Sequence, residues 1–137
     1  MRPPRRLLHA LALALALALV AACGRPGDGG GPIPDQELLL QVRAGTQEVA
    51  LGQSFPLTVT RVWSQELEPE PWNDAALAPL VLRLEQAVQR EDARHVEETR
   101  RYQAYAFSLE DMVVPGPVLR ATPRSGGAAR EARAEDL

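Results

Sequence analysis

Phe55-Pro56-Leu57-Thr58-Val59-Thr60-Arg61-Val62-Trp63 is the stretch on which the fold class turns. In an extended chain Phe55, Leu57 and Val59 fall on one face and Thr58 and Thr60 on the other, and the segment is rich in β-branched and aromatic residues. A period of two with that composition belongs to a strand with one buried face. Upstream, residues 38–42 and 47–51 are two shorter strand candidates separated by Ala44-Gly45-Thr46, and Gly52 turns the chain into the Phe55 strand. Downstream, Val113-Val114-Pro115-Gly116-Pro117-Val118-Leu119-Arg120 reads as a final strand. Its two prolines cannot donate to a ladder, so it is expected at a sheet edge or with a bulge.

The middle of the chain reads two ways. Leu77, Leu80, Val81, Leu84, Ala87 and Val88 fit helical spacing, and residues 85–101 are full of helix formers. Against a helix, Pro79 interrupts the start of the run. Leu80, Leu82 and Leu84 also alternate with Val81, Arg83 and Glu85, and Tyr102, Ala104 and Ala106 alternate with Gln103, Tyr105 and Phe107. Periodicity leaves both readings open.

The N-terminus carries an address. Arg2, Arg5 and Arg6 precede an apolar Leu/Ala run at residues 7–20 that is shorter than the roughly 20 residues a spanning helix needs, and small residues follow it. That is the layout of a secretory signal peptide. Val20-Ala21-Ala22-Cys23 resembles the bacterial lipobox. The resemblance implies cleavage after residue 22, a diacylglyceryl group on the Cys23 sulfur and an acyl chain on its amine, which together satisfy the need for more than one chain in stable anchoring. Residues 1–22 are thus expected to be a lipoprotein signal peptide, and residues 23–34 the lipidated cysteine and a Gly/Pro tether. The expected location is the cell envelope, with the chain held to a bacterial membrane by Cys23 and its body in the periplasm or extracytoplasmic space.

All fifteen basic residues of the 137 are Arg, set against eighteen acidic ones. Three of the Arg and none of the acids lie in residues 1–22, so the mature chain carries twelve against eighteen, a formal −6. With 4% aromatic residues, this acidic body lacks the basic stripe and stacking rings of a nucleic-acid binder. One cysteine allows no intramolecular disulfide. Residues 35–122 form the expected domain, and residues 123–137, small and charged, are expected to be a disordered tail.

Four pieces in order resemble the β-sandwich domain of BatD-type proteins: Val49-Ala-Leu51-Gly52-Gln-Ser-Phe55-Pro-Leu57-Thr-Val59, Leu77-Ala-Pro79-Leu80-Val-Leu82, Thr99-Arg-Arg-Tyr102-Gln-Ala-Tyr105-Ala-Phe107, and Met112-Val-Val-Pro115-Gly-Pro117-Val118. The resemblance spans residues 47–121. It implies an all-β fold, a small immunoglobulin-like β-sandwich of six or seven strands. In it residues 80–88 and 95–107 become antiparallel strands joined around Arg90-Glu91-Asp92-Ala93-Arg94. Trp63 and Trp72 are then expected to pack in the core or at a sandwich end. The resemblance also implies a role in envelope assembly beside von Willebrand-type partners. Leu109-Glu110-Asp111 departs from it, standing where the family has a Gly-containing turn.

Reactive chemistry is sparse. Cys23 is committed to lipid, and His95, the one histidine after the signal segment, sits in a charged stretch and is expected to be solvated. Ser54, Ser64, Ser108 and Ser125 have no nucleophile-elbow context. Zinc ligands are too few. Glu66, Glu68 and Glu70 alternate along an extended segment and suggest calcium, but no Asp-x-Asn/Asp-x-Gly loop accompanies them, and a solvated acidic loop is the simpler reading. The expectation is therefore a lipid-anchored, non-catalytic interaction protein with an envelope protein as partner, no cofactor, no metal and no nucleic acid. The alternative is a small periplasmic ligand carrier or enzyme.

Overall fold

The computed structural model describes residues 30–108 and 110–137. The folded unit is Pro32–Leu137. It holds seven strands: β1 (Leu38–Ala44), β2 (Ser54–Ser64), β3 (Leu67–Pro69), β4 (Val81–Glu91), β5 (His95–Tyr105), β6 (Val118–Pro123) and β7 (Arg130–Arg133), with a 3-10 turn at Asp74–Leu77. One antiparallel sheet runs β1-β2-β5-β4, and the other runs β3-β6-β7. This is the strand order of a constant-type immunoglobulin sandwich.

The alternation of the Phe55 segment is realised in β2. Phe55, Leu57 and Val59 are buried, and Leu57 stands opposite Tyr102 of β5. With Leu40, Leu77, Ala104, Val114, Leu119 and Ala134 they make one core between the sheets. Trp63 is also buried, and Trp72 packs half-buried against the core.

The ambiguous middle is sheet. β4 and β5 pair in antiparallel register from Val81↔Tyr105 to Glu91↔Val96, with a bulge between Leu84 and Gln86. Helix propensity in this run loses to cross-strand packing, because its charged residues find partners across strands: Arg90 pairs with Glu97 at 2.6 Å, and Glu98 with Arg61. At the turn, the Asp92 carboxylate accepts the Arg94 and His95 N–H groups at 2.8 Å each. These two bonds hold it below the ordinary carboxylate range.

Four expectations are corrected. Residues 123–137 are not a disordered tail. β7 pairs with β6 from Val118↔Arg133 to Ala121↔Arg130, and Leu137 exchanges two backbone hydrogen bonds with Val114, at 3.0 Å each. The domain therefore runs past residue 122 to Leu137. The hairpin between β6 and β7 turns through Gly126 and Gly127, at φ 87° and 116°, a region costly for any residue with a Cβ. Second, residues 113–120 are not a final edge strand. The strand begins at Val118, after the second proline, and lies in the centre of its sheet, where neither proline has to donate. Third, residues 47–51 are loop, turned by Gly52 at φ 73° with Gln53 N–H on the Ala50 carbonyl at 2.9 Å. Fourth, His95 is not solvated but buried, packed at the β4–β5 turn beside Asp35 and Asp92, at 3.6 and 3.8 Å.

Candidate functional site

Three places can be assessed for function: a buried polar network, an open cleft and the outer face of the larger sheet. The network grows from β2. After Phe55, Leu57 and Val59, the next inward residue is Arg61, 5% exposed. A buried guanidinium needs compensation. Arg61 has Trp63 and Trp72 within 5.4 and 5.9 Å of its centre, donates Nη1 to the Glu70 carbonyl at 2.9 Å and pairs Nη2 with Glu98. Its Nε is buried with no hydrogen-bond partner. Glu98, supplied by β5 directly across from Arg61, also pairs with Arg100. Burial pushes the Glu98 carboxyl up, but hydrogen bonds from Arg100 and Arg61 outweigh it and hold the group below its ordinary value.

Beside this pair, Tyr102 donates its hydroxyl to Asp74 at 2.7 Å, and Trp72 Nε1 reaches both Asp74 (2.9 Å) and the Tyr102 oxygen (3.0 Å). Asn73 caps the 3-10 turn by accepting the Ala75 N–H at 2.9 Å, which fixes Asp74 over the sheet. Burial and then the Asp74 carboxylate push the Tyr102 phenol up to about 12. A phenol so perturbed stays protonated near neutrality and gives up its proton less readily than an ordinary tyrosine. The network joins β2, β5 and the segment after β3 by charge-assisted bonds, a positioning role.

The cleft, about 700 Å³, opens at the sandwich end opposite His95. Val42, Phe55, Leu80 and Val114 supply apolar lining, and Glu48, Glu110, Asp111 and Glu135 supply carboxylates. Among the described residues no group of three or more His, Cys, Asp or Glu could hold a metal ion. Glu66 and Glu68 are exposed on either side of buried Leu67, and Glu68 pairs with Arg124 at 2.6 Å. Ser54 and Ser64 accept local hydrogen bonds, from Gln103 Nε2 at 3.1 Å and Glu66 N–H at 3.3 Å. Ser125 is exposed.

Cys23, the one site residue singled out in the sequence, lies outside the described residues, and among those residues no helix is long and apolar enough to cross a membrane. The Arg61 network was missed there. Its signal was present, since an arginine between Val59 and Trp63 on an apolar face demands a buried acid. No protein-family model matches the chain, and no curated protein and no solved structure matches it either.

Proposed function

We propose that this chain is a lipid-anchored, non-catalytic envelope protein that presents its sandwich domain to another envelope protein. The observation that carries the reading is the sole cysteine of the chain standing directly after Val20-Ala21-Ala22 and an apolar run. A folded unit that begins at Pro32, a short Gly-rich stretch after Cys23, suits such an arrangement. A tether concentrates a weak binder at the membrane, so modest affinity suffices. The BatD-type resemblance adds a candidate setting, envelope assembly, and rests on the four short pieces alone.

Crosslinking in the native envelope followed by mass spectrometry is expected to recover one or a few membrane-associated partners. The cleft supports the second reading, a small periplasmic ligand carrier or enzyme, because its volume falls within the range of small-molecule sites. No crosslinked partner, together with a metabolite that raises the melting temperature at micromolar concentration, would favour that second reading.

A further inference from the structure

We propose that the outer face of the four-stranded sheet, at the end far from where the chain joins the domain, docks an acidic segment of a partner protein. Antiparallel residues in register project to the same side of a sheet, so the pairing lays out this face in rows. Gln41, Thr60, Thr99 and Val88 form one row, and Arg43, Thr58, Arg101 and Gln86 the next. Pro56, Gln103 and Arg83 follow, then Ser54, Tyr105 and Val81. These residues alternate with Leu57, Val59, Tyr102 and Ala104, which face the core.

The four rows carry three arginines and no carboxylate; Glu85 sits at the bulge without a register partner, and the acids Glu48, Glu110, Asp111 and Glu135 line the adjoining cleft, whose rim Arg43 shares. From strand spacing, Arg101 stands roughly 10 Å from Arg43, two strands away, and roughly 8 Å from Arg83, diagonally across on the next strand. Arg43 and Arg83 are exposed, and neither side chain has an ion-pair or hydrogen-bond partner among the described residues. On a chain with more acids than bases, this is a sorted cationic face.

Solvated arginines alone would be unremarked surface. Here they border an exposed aromatic and apolar cluster. Phe107 is 64% exposed and stacks on Tyr105 with ring centres 6.3 Å apart; Val81, in register with Tyr105, and Leu51, next to the Gly52 whose N–H bonds the Ala106 carbonyl, are exposed as well. Arg, Tyr and Phe are among the residue types enriched at protein interfaces. The cationic rows call for carboxylates on the partner, and the ring pair supplies apolar area around them.

A protein is favoured over the bilayer by position, an argument that rests on the anchor reading above. The chain enters the domain at Pro32, and Asp35, just ahead of β1, meets Arg94 at 3.4 Å. Arg43 lies five residues past Leu38, the first residue of β1, roughly 17 Å away at strand rise. The patch thus lies at the end of the sheet opposite the one through which the proposed anchor is joined, the end open to a partner protein.

The test uses the full chain purified in detergent and fluorescent poly-L-glutamate as the probe, read by anisotropy. Wild type is expected to bind at low salt and to lose binding as salt rises. Arg43→Glu with Arg83→Glu is expected to weaken binding at least tenfold, and Phe107→Ala about threefold. Arg124→Glu with Arg130→Glu changes net charge equally, in the turn after β6 and on β7, and is expected to bind like wild type. Circular dichroism checks folding, with Arg43→Gln and Arg83→Gln as a milder pair. Equal binding by wild type and the Arg43/Arg83 variant overturns the proposal. So does binding to phosphatidylglycerol vesicles, abolished in that variant, without binding to poly-L-glutamate. Failure of the anchor reading shows separately, as Cys23 without acyl mass, and leaves this binding comparison unchanged.

Discussion

Arg61 occupies the fourth inward position of β2, where three apolar residues precede it and Trp63 follows. Burying its guanidinium is tolerable because Glu98 lies directly opposite and Glu70 offers a carbonyl. Removing the acid while keeping the cation should therefore cost more than a surface change. Glu98→Gln is expected to destabilise the domain by about 3–5 kcal/mol, the range for breaking a buried pair, measured by urea unfolding at neutral pH. The acid also has a pH signature. Its folded-state carboxyl sits below the unfolded value, so its contribution is present above about pH 4.3 and is lost as pH falls through the lower folded value. In Glu98→Gln that acid-side loss of stability should be reduced, read as a flatter pH profile of the unfolding midpoint.

β2 was legible because one strand carried both signals, alternation and β-branched composition. β4 and β5 were not, since the features that make them look helical, Glu and Arg in close succession, are also those that form cross-strand ion pairs. Residues 130–133 carried almost no apolar signal. β7 is held instead by its ladder and by close backbone approach, which small residues permit: a Cβ on Gly116 would lie 2.0 Å from the Ala134 carbonyl oxygen. Gly116→Ala should force this end apart and destabilise by roughly 1–3 kcal/mol, as overpacking does. Hydrogen exchange should show lost protection at Ala134 and Leu137, whose N–H groups bond to Pro117 and Val114. Unchanged protection there would mean that the C-terminal segment does not depend on this contact.

At the scale of the molecule, fold and address come from different parts of the chain. The sandwich is built by residues 32–137, and the proposed anchor by residues 1–23, where a motif rather than packing carries the reading. The proposed docking face was the least legible feature, because Arg43, Arg83 and Arg101 come together only after four strands are placed in register. Along the chain those arginines are scattered among acids. The anchor is the premise on which the proposed envelope role depends. Intact mass of the chain extracted from its native membrane tests it most directly. The account predicts a polypeptide beginning at Cys23 with added diacylglyceryl and acyl mass, and loss of that mass in Cys23→Ala. A chain beginning elsewhere, or an unmodified Cys23, would contradict it.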